Sequence, residues 1–498
     1  MNFLQHFPVS LRFSAKSFGL CFLSLWLVAL TSCVVGPTYR KPDAAQLSPA
    51  KWRWKLAEPK DQLAKGAWWS VFHDPVLADL ETNAIAGNQD LRAAVARVDQ
   101  ARASARLTRS QFFPELSLDP DVSRQRVSGN EPIPFPFKLK PVYLNTFNVP
   151  LDLSYELDLW GRVRRSFESS RAQAQASGAD YQNVLLILTS DVAVNYFIFH
   201  SLDVQIALLQ RTIELREKSV EILKGRFIAG TIAELDVEQA KTELASSRAD
   251  LADTERQRAE TIDALALLCG QPASGFAVKD EPLSADPPAV PIGLPSTVLE
   301  RRPDVAAAER MLASKNAQIG VARAAYFPVV YLTGQAGFLS GDAGKLFTGD
   351  SFTWSLGPSV SFPVFTAGRT AATVKQAESS YQEALANYRQ TAFTAFKEVE
   401  DSLAQIRFWS KQADAQAEAL ESARHVTELT RARYQAGVLT YFELVNAQRD
   451  ELQIQRQEAQ LTASRFAATV RLIKSLGGGW EQAGNNHGLL QSAADLKN

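Results

Sequence analysis

The sequence predicts a mainly helical chain with a membrane β-barrel portion, in which two β-hairpins and long coiled-coil helices recur as a tandem repeat. Three observations carry that prediction. A short helix-turn motif occurs twice, each half holds a run of alternating apolar and polar residues, and each such run precedes a long proline-free helical pattern.

The repeated motif sets the organisation. Arg226-Phe227-Ile228-Ala229-Gly230-Thr231 reappears as Arg433-Tyr434-Gln435-Ala436-Gly437-Val438, a separation of 207 residues (437 − 230). Each glycine is the natural place to stop one helix and turn back, because it tolerates the left-handed conformation that ends helices. The same separation relates Gly161-Arg162 to Gly368-Arg369 and Gly270 to Gly477, whereas Phe113-Pro114 and Phe327-Pro328 stand 214 apart (327 − 113). A period this long means two similar half-proteins rather than a solenoid.

Residues 1–32 read as a lipoprotein signal peptide. Arg12 and Lys16 precede an apolar run from Phe18 to Leu30, too short for a comfortable membrane span and suited to a signal core. The run ends Leu30-Thr31-Ser32-Cys33, which resembles a bacterial lipoprotein box. Cys33 is therefore expected to carry a covalent lipid, and Val34 behind it points, by the same resemblance, to the outer membrane. Cys21 would leave with the signal, so Cys269 has no partner for an internal disulfide and is expected to be a small buried residue near a helix end. Residues 33–73, with Pro37, Pro42, Pro49 and Pro59, read as an extended strap anchored by Trp52, Trp54, Trp68 and Trp69.

The first repeat covers 74–270. Asp74 is a plausible cap, with Pro75 at the first helical position, for a helix running to about Ser110. Beyond Phe113-Pro114 a short strand alternates Leu116, Leu118 and Val122 with Ser117, Asp119, Asp121 and Ser123. After a loop with Pro132, Pro134, Pro136 and Pro141, Phe147, Val149, Leu151, Leu153, Tyr155, Leu157 and Leu159 alternate with Asn148, Asp152, Ser154, Glu156 and Asp158. Such alternation gives a strand one apolar and one polar face. A tilted strand of roughly 10 residues crosses a bilayer, whereas soluble strands average about five or six.

From Val163 to Arg226 there is no proline, a stretch that as helix would make a rod of ~96 Å. Leu185, Leu188, Val192, Phe199, Leu202, Ile206, Leu209, Ile213, Val220, Leu223 and Phe227 fall on heptad steps, with Asn195 and Arg216 in the two missing seam positions. Thr189-Ser190-Asp191 and Asn195 argue against a transmembrane helix there. An alanine-rich helix returns from Gly230 to Gly270, and residues 271–298 form a proline-rich linker.

The second repeat, 299–477, opens with Arg301-Arg302-Pro303-Asp304-Val305 at a helix start. It repeats a hairpin, Val330 to Phe338 and then Phe352, Trp354, Leu356, Val360, Phe362 and Val364, followed by helices over Thr370–Arg433 and about Thr440–Leu476. A polar tail, 478–498, ends the chain.

Two hairpins supply four strands, too few to close a barrel, and open edges do not survive in lipid. Two copies would give a barrel just filled by side chains, while three give twelve strands and a lumen. The expectation is a homotrimer forming a twelve-stranded barrel continued by an α-helical tunnel on the periplasmic side.

Trp68-Trp69-Ser70-Val71-Phe72 with Asp74-Pro75, the two Phe-Pro pairs, the two Gly-Arg pairs, Arg301-Arg302-Pro303-Asp304 and the two Ala-Gly turns occur in a characteristic order. By them the mature chain resembles the outer-membrane efflux channels of the TolC and OprM type, specifically the lipoprotein branch that works with resistance-nodulation-division pumps. The resemblance implies a passive exit duct for drugs or other small toxic compounds, delivered by an inner-membrane transporter through a periplasmic adaptor protein. It places Ala229, Gly230 and Thr231, and Ala436, Gly437 and Val438, at the tips where the adaptor docks. It also places Glu443 and Asn446 where the family carries constriction-lining residues, commonly aspartates, a pattern from which Asn446 departs. Asp236 and Tyr434, again by position in the family, are candidates for a link that holds the helices shut. Glu443 and Asn446 are three residues apart and share a helix face, so each would form a ring in a trimer.

Other classes find little support. A net charge of −1 gives no basic excess for nucleic acid. His6, His73, His200, His425 and His487 form no metal pair at helical spacing, and there is no phosphate-cradling glycine loop or nucleophile elbow. No catalytic residue, metal or cofactor beyond the lipid on Cys33 is expected. The competing reading is a periplasmic coiled-coil lipoprotein without a pore, which must treat the alternating hairpins as soluble sheet.

Overall fold

The computed structural model describes residues 34–41, 66–128, 141–279, 286–288 and 301–478. The signal peptide, Cys33, Trp52, Trp54, Pro132, Pro134, Pro136, most of the linker and the tail after 478 lie outside the described residues. Two compact units emerge, each drawing on both halves of the chain. The first takes the strap's start, Gln100–Ala174 and Arg310–Ala386; the second takes the remaining described residues.

The first unit is built on an antiparallel sheet of β1 (Glu115–Leu118), β2 (Asp121–Val127), β3 (Val142–Leu157), β4 (Val329–Ser340) and β5 (Phe352–Ser361). β1 and β2 pair with β3 in one continuous register, Glu115 opposite Ser154 through Val127 opposite Val142, so they are one strand interrupted at Asp119-Pro120. Proline has no N–H to give the ladder, which explains the interruption. The sheet thus has four strand positions, with β1/β2 and β5 at open edges.

Register gathers most of the apolar residues onto one face, although Val127, Val142, Leu144, Val329, Tyr331 and Leu339 lie on the other. Leu116 faces Leu153, Val122 faces Phe147, Val149 faces Phe338, Leu157 faces Val330, and Phe338, Ala336 and Val330 face Phe352, Trp354 and Val360. The other face is mainly polar along its middle, for example the row Ser117, Asp152, Gln335 and Ser355, in which Gln335 Nε2 donates to Asp152 Oδ1 at 2.9 Å. Pro150 is tolerated in the interior strand β3 because Gly337 lies opposite; a Cβ there would come within 2.2 Å of the Val149 carbonyl oxygen. Several boundaries differ from the sequence expectation: β2 runs on to Val127, β3 begins earlier, at Val142, and ends at Leu157 rather than Leu159, and β5 stops at Ser361 rather than Val364, ahead of Pro363.

At the strap's start Val35 N donates to the Trp160 carbonyl at 3.1 Å and Asn316 Nδ2 to the Pro37 carbonyl at 3.0 Å. Asp158, just past β3, accepts from the Val163 and Arg164 amides at 3.0 and 2.9 Å and so satisfies the first turn of the next helix.

Helix lengths repeat. α1 is Pro75–Gly87. α2 (Gln89–Ser110) and α5 (Pro303–Ala324) have 22 residues each, α3 (Arg162–Ile228) and α6 (Arg369–Gln435) have 67, and α4 (Glu234–Leu268) and α7 (Tyr441–Ser475) have 35. The single helix expected from Asp74 to Ser110 is α1 and α2, broken at Asn88. There Asn88 Oδ1 accepts from Leu91 N at 2.9 Å and its amide donates to the Leu268 carbonyl at 3.0 Å. Gly87 and Gly270 pack backbone to backbone at that break, where any Cβ would collide.

The end of the expected extended strap is also helical. Trp68–Phe72 forms a 3-10 helix ended by His73 at φ 53°, and Trp68 is buried, its Nε1 donating to Thr189 Oγ1 at 3.1 Å. Asp74 does cap α1, accepting from Leu77 N at 2.9 Å, and its other oxygen accepts from Tyr196 Oη at 2.6 Å. These residues join one core with Phe72, Leu77, Leu80, Val192, Phe197, Leu265, Phe466 and Ile473. Part of α3 is long and apolar enough to cross a membrane by composition, but 61% of that stretch is buried within the chain. Along the seam of α3, Leu188, Val192, Phe199, Leu202, Leu209, Ile213, Arg216, Val220 and Leu223 are buried, whereas Phe227 is exposed.

Candidate functional site

The two repeated turns are built alike. Gly230 N donates to the Phe227 carbonyl and Thr231 N to that of Arg226; Gly437 N donates to the Tyr434 carbonyl and Val438 N to that of Arg433, all at 2.9–3.0 Å. This paired bond pattern satisfies the last carbonyls of α3 and α6 and requires a left-handed residue, supplied by Gly230 at φ 71° and Gly437 at φ 74°. A Cβ at either glycine would meet nothing within 4 Å, so their conformation, not internal crowding, requires glycine. Ala229, Gly230, Thr231, Ala436, Gly437 and Val438 are all exposed, and apolar surface surrounds them: Ile228, Leu235, Val438 and Phe442.

Just behind the turns a small core ties the halves together. Val220 and Leu223 of α3, Val237 and Ala240 of α4, and Tyr441 and Val445 of α7 are buried against one another, with Tyr434 packed on them. Tyr434 Oη accepts from Arg226 Nη1 at 3.4 Å, the Arg226 Cζ lies 5.7 Å from the Tyr434 ring, and the rings of Tyr434 and Tyr441 are 5.9 Å apart. Within one chain, then, Tyr434 meets Arg226, and Asp236 is half-buried in the first turn of α4.

Glu443 is exposed and Asn446 half-buried. The Glu443 carboxylate turns back on its own helix, where Oε2 accepts from Thr440 N at 2.8 Å and Thr440 Oγ1 at 3.0 Å. It completes a capping box at the start of α7. The Thr440-x-x-Glu443 spacing carried that signal in the sequence.

Sequence reasoning missed the ionic centre behind this core. Glu243 of α4 is buried between Arg216 of α3, whose Nη2 lies 3.1 Å from Glu243 Oε2, and Arg449 of α7, which contacts Oε1. Arg216 Nη1 also donates to the Glu243 carbonyl at 2.7 Å and to Ser247 Oγ. Burial pushes the Arg216 guanidinium down from its usual range, and Glu243 pulls it back. Burial likewise raises the Tyr441 phenol. The available signal was Arg216 itself, a charge at a heptad seam position.

A second missed feature is Glu81 of α1, fully buried with both carboxylate oxygens lacking a hydrogen-bond partner. Burial holds its carboxyl well above the usual range. Cys269 is buried as expected, and burial, then the Glu81 charge, push its thiol up to about 11. Such a thiol is inert.

The chain matches the family described as outer membrane efflux protein over residues 80–271 and 294–478. It is 33% identical over 473 residues to a probable efflux pump outer membrane protein, TtgC, of Pseudomonas putida, covering 93% of this chain and 97% of that one. It is 32% identical over 462 residues to the cation efflux system protein CusC of Escherichia coli, covering 91% and 97%. The crystal structure of the Campylobacter jejuni CmeC outer membrane channel superposes with a TM-score of 0.83 at 27% identity, covering 93% and 98%. The strand and helix layout, the one-faced sheet and these matches agree that the chain belongs to the outer membrane efflux protein family.

Proposed function

We propose that the chain is the passive exit duct of a tripartite efflux system. Three copies, each giving four strand positions, close a twelve-stranded barrel whose polar faces line the lumen. The observation that carries this reading is the sheet: one face mainly apolar across its strands, the other mainly polar, both edges open. An open edge in lipid leaves backbone groups unsatisfied, so neighbouring copies complete it. A scaffold without a pore gives no use for that arrangement. The matched lengths and spacings of α2 and α5, α3 and α6, and α4 and α7 support reading 74–270 and 299–477 as duplicated repeats joined by 271–298.

Cys33 carries the lipid anchor in this reading, and a resistance-nodulation-division transporter in the inner membrane supplies the energy. Its periplasmic adaptor meets the exposed apolar turns at Ala229-Gly230-Thr231 and Ala436-Gly437-Val438. The gate lies behind them, around Asp236, Tyr434, Glu443 and Asn446. Cargo choice sits with the pump, since a wide duct has no tailored pocket. Purified protein should give heat-resistant trimers extracted only by detergent and stable single-channel conductance in planar bilayers; a monomer soluble without detergent and silent in bilayers would sink the reading.

A further inference from the structure

The outward apolar face of the sheet changes character at the end remote from the helices. Val122 opposite Phe147 is the last apolar pair of β2 and β3 on that face; the next residues on it are Arg124, opposite Asn145, and Arg126, opposite Tyr143. Both arginines are exposed, and Arg124 Cζ lies 5.6 Å from the Tyr143 ring. Among the described residues neither guanidinium is paired with a carboxylate. Asp121 points to the opposite face, and Asp342, in the connection after β4, accepts from Gly344 N at 2.9 Å.

The face is therefore zoned. The apolar band runs from Leu157 to Phe147 along β3, about 33 Å of strand, which a tilt reduces to about 25 Å, the height of a barrel's lipid-facing band. Aromatic rings crowd its far end: Phe338 is 5.5 Å from Phe347 and 5.7 Å from Phe352, and Trp354 is exposed on the same face. Arg124 and Arg126 stand beyond Phe147 by about 7 and 13 Å along the strand. That is headgroup depth, and because the helices are periplasmic it is the cell-surface leaflet. Unpaired cations on a lipid-side face need anionic partners there, and guanidinium groups match phosphate in a bidentate fork.

We propose that Arg124 and Arg126, with Tyr143 packed beneath Arg124, form a binding site for the phosphate groups of lipopolysaccharide in the outer leaflet. The site rests on the reading that this face meets lipid. It orients the barrel and fixes its depth at the surface side, as the acyl chain of Cys33 does on the periplasmic side.

The test titrates the full-length protein in neutral detergent with fluorescent lipopolysaccharide, enzymatically dephosphorylated lipopolysaccharide, and phosphatidylglycerol in mixed micelles as competitor. The intact protein should prefer the phosphorylated form, and R124A/R126A should lose that preference, weakening binding about thirtyfold. R124K/R126K should keep much of it, because charge remains while the fork is lost. An intact protein indifferent to dephosphorylation, or an alanine variant that keeps its preference, overturns the site. Competition by phosphatidylglycerol as effective as by lipopolysaccharide itself overturns the assignment of the ligand. Bilayer conductance of each variant reports separately on the channel reading.

Discussion

Replacing Glu243 with alanine removes a carboxylate that, among the described residues, alone touches both Arg216 and Arg449. Arg216 is 7% exposed and Glu243 8%, so the truncation leaves a guanidinium buried with hydrogen bonds but no countercharge. Breaking a buried pair from one side costs about 3–5 kcal/mol. The Arg449 side chain is 55% exposed, so Arg449→Ala removes a solvent-screened interaction of about 0–1 kcal/mol. Arg216→Met with Glu243→Leu substitutes apolar groups of similar size for the pair and should recover most of the loss. Unfolding of such assemblies is irreversible, so the measurement is the half-life at raised temperature followed by tryptophan fluorescence. If the whole loss falls on the unfolding barrier, Glu243→Ala shortens that half-life at most about a hundred- to a few thousandfold. The reasoning fails if Arg449→Ala is as damaging as Glu243→Ala, or if the double variant is no more durable than the single one.

At the turns, Gly230→Val and Gly437→Val force a branched residue into a left-handed conformation, at about 1–2 kcal/mol each, and should lower dye efflux at normal oligomer levels. Unchanged efflux in both would move docking elsewhere. Glu81→Leu removes a buried carboxyl without partners and should stabilise the protein by about 1–3 kcal/mol near neutral pH. Because burial raises the Glu81 pKa in the folded state, stability tied to its neutral form is lost as pH rises through that raised value. The advantage of Glu81→Leu should therefore grow as pH rises from the ordinary carboxylate range through that raised value and then level off, and a difference in melting temperature that is the same in acid as at neutral and higher pH refutes the assignment. Glu443→Gln keeps a capping side chain while removing charge, whereas Glu443→Ala removes both, at about 1 kcal/mol. Altered cation selectivity in Glu443→Gln would support a charged ring; if only Glu443→Ala changes the channel, the residue acts as a cap.

The architecture was legible because it rests on periodicity, which is local. Alternation along Phe147–Leu157 and Phe352–Val360 named the apolar face before any pairing was known, and the register then stacked those residues into one surface. The paired Ala-Gly turns were legible for the same reason, since a left-handed residue ending a helix is a property of the turn alone. What the periodicity could not give was interruption. Asn88 breaks a helix because Gly87 must meet Gly270, a contact made across the whole first repeat, and Pro120 splits a strand without altering its register.

The gate region shows where residue-by-residue transfer from a family needs a physical check. Position alone put Glu443 on the same helix face as Asn446, and helical spacing supports that. Yet the third residue of a helix after a threonine cap has its own demand, because the helix start holds unsatisfied amides that a glutamate can reach. The Glu443 carboxylate meets that demand first. Under the proposed trimer, each Glu443 carboxylate would keep its charge but sit beside the amides of the helix start, whose partial positive charge offsets part of the mutual repulsion. On that reading, closure at this end would also draw on the buried contacts behind it, where Tyr434 packs under Arg226 and Glu243 ties α3 and α4 to α7. Those contacts join helices from both halves of the chain, so separating the two turns requires breaking them together.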